Sequence, residues 1–279
     1  MNVEEIVDVE EFKYCLSNAY KYFRINTLKI SIREFERVSA LSFSSTPIPF
    51  MKRLDQFIQL GSTVEYFLGL LHPQSLASSL ASLALSPTEQ DKVVDITASP
   101  GSKTTQLAMQ MENKGAIVSN DRKSREKALL HNIARLGVLN VVVTSKDAKF
   151  PIAENYFDKA LVDVPCSALG SHLNAWKRFE QGIAVSLSRV QKRMLLSAFD
   201  SIKQGGILVY STCTITDEEN EAVVKFLLEN RNAKLLPISL QLPHSTGLSE
   251  YGREFRNVFR VYPQHLKSEG FFIAKIKKL

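Results

Sequence analysis

The sequence has few of the residues that mark disulfide-rich, metal-binding or membrane proteins. Only three cysteines occur in 279 residues, and Cys15, Cys166 and Cys213 form no CxxC pair. An odd number of cysteines without a secretory signal argues against a disulfide framework and predicts a reducing compartment, the cytoplasm. The five histidines have no mutual spacing that suggests a metal site. No apolar run approaches the roughly 20 residues of a membrane helix, so we expect neither a bound metal nor a membrane partner.

The net charge of +6 is unevenly distributed along the chain. Residues 1–90 contain 8 basic and 10 acidic side chains, whereas residues 91–279 contain 27 basic and 19 acidic ones. A basic surplus of this kind is a modest indication of a polyanionic partner such as nucleic acid, although many soluble proteins are equally basic. Nothing in the sequence indicates an obligate protein partner.

Strand-like and helix-like patterns alternate from residue 92 onwards. We predict strands over residues 92–96, 116–120, 141–145, 157–162, 207–211, 233–237 and 271–276. We predict helices over residues 103–111, 124–136, 188–202 and 217–228. Such alternation is typical of an α/β protein with a parallel, doubly wound sheet. Because no convincing helix separates the last two strands, we expect an antiparallel edge.

The N-terminal part of the chain has a different pattern. It begins with an acidic, helical segment and continues into an aromatic and branched stretch at residues 22–29, which is typical of a strand. A loop rich in proline and hydroxyl residues follows at 42–49, and the pattern becomes helical again from Gln74. We therefore predict a small α+β domain over residues 1–85 and an α/β domain over residues 86–279.

Two of the cysteines directly follow predicted strands. Cys166 ends the segment Asp163-Val-Pro-Cys166, and Cys213 ends the segment Tyr210-Ser-Thr-Cys213. In an open parallel sheet, ligands bind in the crevice beyond the carboxyl ends of the strands. A lone cysteine after a strand is more often a small buried hydrophobe. Two cysteines at corresponding strand ends favour a functional role.

Small residues and one glycine follow the first predicted strand of the α/β domain. The segment 97–103 reads Thr-Ala-Ser-Pro-Gly-Ser-Lys and leads directly into a helix. Small residues let the backbone approach a ligand, and a helix N-terminus favours an anionic group. A Walker A loop is the rival interpretation, but the upstream glycine that it requires is missing, since Thr97 to Ser99 stand there.

Acidic residues follow the next two predicted strands. Asp121 closes the second strand, where a carboxylate can accept hydrogen bonds from both hydroxyls of a ribose. Asp147 follows the third strand and is placed to reach an adenine edge. A glycine-bearing loop with these two acids suits adenosine without a triphosphate, which indicates S-adenosylmethionine more than ATP.

Together these motifs resemble the RNA cytosine-carbon-5 methyltransferases of the Sun-type family, in particular its short archaeal members. The likeness runs almost end to end, and the segments that carry it are residues 24–29, 74–78, 95–105, Asp121, Asp147, 163–170, 210–215, 219–221, 260–263 and 270–275. The resemblance implies a Rossmann-like class I methyltransferase sheet, S-adenosylmethionine as cofactor, and RNA as substrate, with tRNA favoured over rRNA.

The resemblance also implies a role for each motif residue. Cys213 would add to carbon 6 of cytosine, so that carbon 5 becomes nucleophilic, and Cys166 would help to remove the proton from carbon 5. Asp163 would hydrogen-bond the ring, and Lys103 would contact the base and lower the pKa of a nearby thiol. The implied cofactor-binding residues are Thr97, Ala98, Ser99, Pro100, Gly101, Ser102, Lys103, Asp121, Arg125, Asp147 and Asp163.

The chain departs from the family pattern at a few positions. Thr97 and Ser102 replace a cysteine and a glycine, and Ala168 replaces a glycine. Arg125 lies four residues after Asp121, where relatives more often place a basic residue five residues on.

Two other interpretations stay open. In the chemistry of DNA cytosine methyltransferases the nucleophile would be Cys166, which follows a proline. The second is a non-catalytic RNA-binding protein with a vestigial cofactor pocket. Trp176 and Phe179, which flank Lys177 and Arg178, could stack on RNA, although a mobile, solvated loop is an equal alternative.

Overall fold

Two β-sheets of different size organise the chain, which a computed structural model describes from residue 1 to residue 279. The smaller sheet is antiparallel and has the strand order β2-β3-β1-β4. Its strands are β1 (Tyr22–Ile25), β2 (Phe43–Ser45), β3 (Met51–Leu54) and β4 (Leu71–Pro73). Helices α3 (Ile32–Val38) and α4 (Val64–Phe67) accompany this sheet, whereas α1 (Val3–Ile6) and α2 (Val9–Ser17) pack in a separate apolar cluster with Leu169, Ile215 and Tyr262.

Local sequence signals explain why these short elements form. Helix α3 begins with a capping box, in which the Ser31 hydroxyl accepts from the Glu34 amide and the Glu34 carboxylate accepts from the Ser31 amide. One face of the small sheet packs on this helix through a cluster of apolar side chains that includes Phe23, Ile25 and Phe35. The small sheet therefore has a core of its own.

The larger sheet has the strand order β10-β12-β9-β8-β5-β6-β7, and β11 pairs with β12. Its strands are β5 (Lys92–Asp95), β6 (Ala116–Asn120), β7 (Val141–Thr144), β8 (Phe157–Asp163), β9 (Ile202–Thr212), β10 (Ala233–Leu236), β11 (Phe259–Val261) and β12 (Phe271–Lys278). The remaining helices are α5 (Leu76–Leu85), α6 (Ser102–Gln110), α7 (Glu126–Leu136), α8 (Leu173–Trp176), α9 (Gln181–Ser201), α10 (Glu221–Asn230) and α11 (Pro263–Leu266).

Strands β5 to β9 are parallel, and β10, β11 and β12 pair antiparallel. Helices α5 and α6 pack on one face of this sheet, and α9 and α10 pack on the other. The expected α/β fold, a doubly wound and mostly parallel sheet with an antiparallel edge, is thus confirmed. No helix combines the length and the apolar character that crossing a membrane requires.

Some element bounds differ from those predicted. Helix α9 begins at Gln181, seven residues before the predicted start. The prediction missed its first turns because they contain Gly182 and show no strong helical pattern. Strand β11 has only three residues and was not predicted. Helix α5, which we assigned to the N-terminal domain, packs on the larger sheet, where Leu80 shares a core with Val209. The domain boundary at residue 85 stays a prediction.

Candidate active site

Neighbouring parallel strands bring two of the three thiols together. Strands β8 and β9 pair so that Asp163 lies beside Ser211, and the chain then continues from each strand into a loop that carries a cysteine. The sulfur atoms of Cys166 and Cys213 are 3.3 Å apart, and both are free thiols that are half-buried. As the sequence predicts, the two cysteines lie beyond the carboxyl ends of their strands, and the structure brings them into contact.

Close backbone approaches hold the loop that follows Cys166. The Gly170 amide donates to the Cys213 carbonyl at 2.9 Å, and the Gly270 amide donates to the Gly170 carbonyl at 2.8 Å. A Cβ atom on Gly170 would lie 2.3 Å from the Gly270 carbonyl oxygen, so no larger residue fits there. Within the same loop Ala168 has a φ of +59°, a left-handed conformation that favours glycine.

The two thiols differ in acidity. A hydrogen bond from Cys166 lowers the pKa of Cys213 even though burial opposes the change, and the Ser171 hydroxyl, 3.6 Å from the Cys213 sulfur, adds to the effect. The same thiol–thiol hydrogen bond, together with burial, raises the pKa of Cys166. Cys213 is therefore the thiol that ionises first, and the Cys166 thiol donates a hydrogen bond to the resulting thiolate.

A half-buried ion pair lies close to the thiols. The Lys103 Nζ atom is 2.7 Å from the Asp163 Oδ2 atom, and the Ser211 hydroxyl donates to the Asp163 Oδ1 atom at 2.8 Å. Burial alone would lower the pKa of Lys103, but the Asp163 carboxylate outweighs it and raises the pKa. The main partner of Lys103 is thus Asp163. The chief cause of the lower pKa at Cys213 is Cys166, whereas charge attraction to the Cys213 thiolate is one of the smaller causes that raise the pKa of Lys103.

The loop of residues 97–103 is held from several sides. Gly101 has a φ of +104° at the start of helix α6, a conformation that glycine adopts without strain. From the small sheet, the buried Arg24 guanidinium donates to the Ser102 carbonyl at 2.7 Å and to the Thr105 hydroxyl at 2.7 Å. The Thr97 hydroxyl donates to the Asp163 carbonyl at 2.9 Å, which ties the loop to the end of β8.

Two cavities adjoin this loop, and Thr97 lines both of them. The smaller, of about 200 Å³, contains the side chains of Lys103 and Asp163. It also contains Asp95, whose Oδ1 atom is buried and has no hydrogen-bond partner. The larger, of about 560 Å³, extends past the ends of β6 and β7 and contains Asp121.

The larger cavity contains the two acids that were predicted to hold an adenosine. The Asp121 Oδ2 atom accepts from the Ser99 amide at 2.7 Å, and the Arg125 guanidinium donates to the Ser99 carbonyl at 2.9 Å. Asp147 lies on the rim, where its carboxylate pairs with Lys149 at 2.9 Å. Carboxylates suit the hydroxyls of a ribose and a polar adenine edge, so this set of donors and acceptors fits a nucleoside.

Comparison with known proteins agrees with this geometry. The model of the 16S rRNA methyltransferase RsmB/F family matches residues 82–277, which is most of the chain. The chain belongs to the RsmB/F family.

Relatives of this RsmB/F chain include enzymes named for two kinds of RNA. The tRNA (cytosine(49)-C(5))-methyltransferase of Pyrococcus abyssi is 41% identical over 287 residues, which cover 97% of this chain and 92% of that protein. Ribosomal RNA small subunit methyltransferase F of Escherichia coli O9:H4 (strain HS) is 36% identical over 283 residues. That match covers 95% of this chain but only 58% of the longer Escherichia coli protein.

Solved structures of similar proteins extend the comparison. A methyltransferase homolog protein from Pyrococcus horikoshii has a TM-score of 0.84 and 32% identity, with 96% of this chain and 90% of that chain covered. NSun6 from Pyrococcus horikoshii, solved with SFG, has a TM-score of 0.87 and 26% identity, with 99% and 96% covered. The resemblance to the Sun-type family and the Rossmann-like methyltransferase fold are thereby confirmed.

Motif segments of this RsmB/F chain that had no predicted role hold the loop after Cys213. The buried Arg260 guanidinium pairs with Glu221 and donates to the Ile215 carbonyl at 2.8 Å. The buried Glu219 carboxylate accepts from the Ser167 amide at 3.0 Å, which reaches the loop of the other cysteine. These residues belong to segments that carry the family resemblance, but their contacts with the loops of both cysteines are visible only in the folded chain.

Residues outside the site also have a clear place. Cys15 lies in helix α2, away from the other two cysteines. The Trp176 indole N–H donates to the Leu169 carbonyl at 2.8 Å, and its ring packs 5.7 Å from that of Phe12. Trp176 and Phe179 are half-buried and pack against the apolar cluster around Phe12, so they do not form a solvated loop. A role for them in stacking on RNA stays a prediction.

Proposed function

We propose that this protein transfers a methyl group from S-adenosylmethionine to carbon 5 of cytosine in RNA. The observation that carries the proposal is the 3.3 Å approach of the Cys166 and Cys213 sulfur atoms next to the Lys103–Asp163 ion pair. Such a pair of thiols supplies both a nucleophile and a group that can move a proton. The names of the relatives support RNA cytosine as the substrate.

The cofactor would occupy the two cavities that meet at Thr97. Asp121 would accept hydrogen bonds from the ribose hydroxyls, Asp147 would contact the adenine edge, and the loop of residues 97–103 would hold the amino-acid portion. Arg125 would act mainly by fixing the Ser99 carbonyl, to which it is bonded. When bound there, S-adenosylmethionine supplies an electrophilic methyl group.

Carbon 5 of cytosine is too weak a nucleophile to react unaided. The Cys213 thiolate would add to carbon 6, so that the electron pair of the 5,6 double bond becomes available at carbon 5. The Asp163 carboxylate would accept a hydrogen bond from the amino group of the ring, and the Lys103 ammonium, 2.7 Å from Asp163, can supply the proton that nitrogen 3 gains. Once protonated, nitrogen 3 would also donate to Asp163. The target base must leave its stack to reach the thiols.

Cys166 would complete the reaction as a base. Its pKa is raised first of all by the hydrogen bond to Cys213, and this cause disappears once the Cys213 sulfur is bonded to carbon 6. Burial still raises the pKa of Cys166, but without that hydrogen bond the thiol can release its proton to solvent and, as a thiolate, accept the proton of carbon 5. The electron pair of that C–H bond restores the double bond, Cys213 leaves as a thiolate, and nitrogen 3 returns its proton to Lys103.

We further propose tRNA in preference to rRNA as the substrate. The tRNA-named relative is similar in length to this chain, whereas the rRNA-named relative is much longer. A cytoplasmic location without an obligate protein partner suits thiol chemistry in a reducing compartment. In this proposal residues 1–85 contact the RNA and residues 86–279 carry out catalysis.

Incubation with methyl-labelled S-adenosylmethionine and unmodified tRNA or small-subunit rRNA, followed by bisulfite sequencing, tests the proposal. We expect 5-methylcytosine in tRNA, none with Cys213→Ala, and a denaturation-resistant RNA adduct with Cys166→Ala. An adduct that requires Cys166 and forms without Cys213 would assign the chemistry of DNA cytosine methyltransferases instead. Absence of cofactor binding in calorimetry would indicate a non-catalytic RNA-binding protein.

A further inference from the structure

A surface cleft leads from the small sheet towards the thiols. It has a volume of about 460 Å³ and runs between the segment that enters β1, the loop before α4 and the turn before β12. At its inner end lies Ser171, whose hydroxyl is 3.6 Å from the Cys213 sulfur. A chain that fills the cleft would therefore end beside the nucleophile of the proposed reaction.

Tyr20 and Lys21 line this cleft, and further aromatic and basic side chains lie against them. Phe57 is 99% exposed, and the Lys21 Nζ atom lies 4.9 Å from the centre of its ring. Tyr20 is 39% exposed, with the Arg53 guanidinium 4.8 Å and the Lys267 Nζ atom 5.3 Å from its ring centre. We call these five residues the rim cluster.

The rim cluster is built from distant parts of the chain, and hydrogen bonds fix its geometry. Lys267 has a φ of +48°, an unusual conformation for a residue other than glycine. The Tyr20 amide holds it there by donating to the Lys267 carbonyl at 2.8 Å, and the Tyr22 hydroxyl donates to the neighbouring Leu266 carbonyl at 2.9 Å. The position of the Lys267 ammonium beside Tyr20 is thus set by the fold.

The charge of the rim cluster is only partly neutralised. Arg53 pairs with Asp55 at 2.7 Å, but Lys21 and Lys267 have no carboxylate oxygen within 4.0 Å. Glu269 lines the cleft, where it accepts from the Ser75 hydroxyl at 2.8 Å. Two unpaired ammonium groups and the exposed Phe57 ring match the phosphates and a base of a single nucleic-acid strand.

We infer that the rim cluster binds the single-stranded RNA nucleotides that flank the target cytosine. A base stacks on the exposed ring of Phe57, and phosphates contact the ammonium groups of Lys21 and Lys267. This inference rests on the proposed function, because it takes RNA as the substrate whose target base reaches the thiols through the cleft. It adds to that function the residues that hold the strand outside the catalytic pocket.

Binding measured by fluorescence anisotropy tests the inference with two probes, a labelled 12-nucleotide RNA with one central cytosine and an unmodified tRNA transcript. We expect Phe57→Ala to weaken binding of both by about 5- to 100-fold, the loss of one stacked base. Lys21→Ala should reduce the slope of log K against log salt concentration by about 0.7, one phosphate contact. The matched controls Tyr156→Ala, at an aromatic side chain outside residues 1–85 that is 47% exposed and has the Lys92 Nζ atom 4.5 Å from its ring centre, and Lys234→Ala, on the edge strand β10, should leave binding unchanged.

Kinetics separate a binding role from a structural one. In methyl transfer to tRNA the effect of Phe57→Ala should appear as a higher KM for RNA, with little change in kcat, while thermal unfolding is unaltered.

If neither probe binds the wild-type protein, or if Phe57→Ala binds both probes like the wild type, the inference is wrong. It is also wrong if Phe57→Ala leaves RNA binding intact but converts a dimer to a monomer in sedimentation, since the surface then joins two copies. RNA binding that depends on Phe57 without any methyl transfer would leave this inference in place and refute the proposed function.

Discussion

The Cys166 and Cys213 sulfur atoms lie 3.3 Å apart, although the two cysteines are 47 positions apart in the chain. The adjacent parallel strands β8 and β9 end at the same edge of the sheet, which brings the loops behind them into contact. Because the hydrogen bond between them lowers the pKa of Cys213 and raises that of Cys166, the pair is asymmetric before any substrate binds. This asymmetry makes the division of roles between the two thiols testable without RNA.

Replacement of Cys166 by alanine should make Cys213 less acidic. The Cys166 hydrogen bond is the largest cause of the lowered pKa at Cys213, and without it burial raises that pKa. The rate of iodoacetamide alkylation at Cys213, followed by mass spectrometry across a pH series, should have its midpoint at a higher pH in Cys166→Ala than in the wild type.

Cys15→Ala provides the matched control for this experiment. Cys15 lies in helix α2 and contacts neither thiol of the pair, so its removal should leave the alkylation profile of Cys213 unchanged. If the pH midpoint of Cys213 alkylation is the same in Cys166→Ala and in the wild type, Cys166 does not stabilise the Cys213 thiolate by a hydrogen bond.

Much of the site was predictable because strands buried on both faces have a strong sequence signature. The apolar runs before Cys166 and Cys213 indicated parallel strands, and parallel strands place their following loops at one edge. Arg24 was different, since a charged residue in a strand suggests exposure, yet it is fully buried against the loop of residues 97–103. The contact between Ser171 and Cys213 depends on how the loop after β8 folds back, and no local pattern encodes that.

Replacement of Ala168 by glycine should stabilise the protein. Ala168 has a φ of +59°, a conformation that is unfavourable for residues with a Cβ atom by about 1–2 kcal/mol. Glycine removes this strain but loses more backbone entropy on folding, so we expect a net gain of about 0.5–1 kcal/mol in the free energy of unfolding. Urea denaturation followed by circular dichroism measures it.

The control for that variant is Ala134→Gly, in the exposed face of helix α7. There glycine relieves no strain and should lower the free energy of unfolding by about 1 kcal/mol. If both variants are destabilised to the same extent, the left-handed conformation of Ala168 is wrong.

Replacement of Arg24 by lysine should weaken both folding and cofactor binding. The buried guanidinium donates to the Gln74 side chain, the Ser102 carbonyl and the Thr105 hydroxyl. An ammonium on a shorter side chain cannot reach all three, so we expect a loss of roughly 2–3 kcal/mol in the free energy of unfolding. Calorimetry with S-adenosylmethionine, at a temperature where the variant is folded, should give a lower affinity.

The exposed Arg37, in the last turn of helix α3, is the matched control. Arg37→Lys should change neither quantity, because its guanidinium lies far from the loop of residues 97–103. An Arg24→Lys variant that loses stability but binds the cofactor with unchanged affinity would show that Arg24 does not help to shape the cofactor site.

Asp95 should make stability depend on pH. Burial, with a smaller contribution from the nearby Asp163 carboxylate, raises the pKa of Asp95 to about 7, whereas an unfolded aspartate has a pKa of about 4. Between these values the native state holds a proton that the unfolded state has released, so the free energy of unfolding falls as pH rises and levels off above pH of about 7.

Asp95→Asn keeps an acceptor for the Thr104 hydroxyl and removes the titration. Urea denaturation at several pH values should therefore show the asparagine variant gaining about 2–3 kcal/mol relative to the wild type between pH of about 5 and about 8. A difference between the two proteins that stays constant over this range would mean that Asp95 is ionised in the native state throughout.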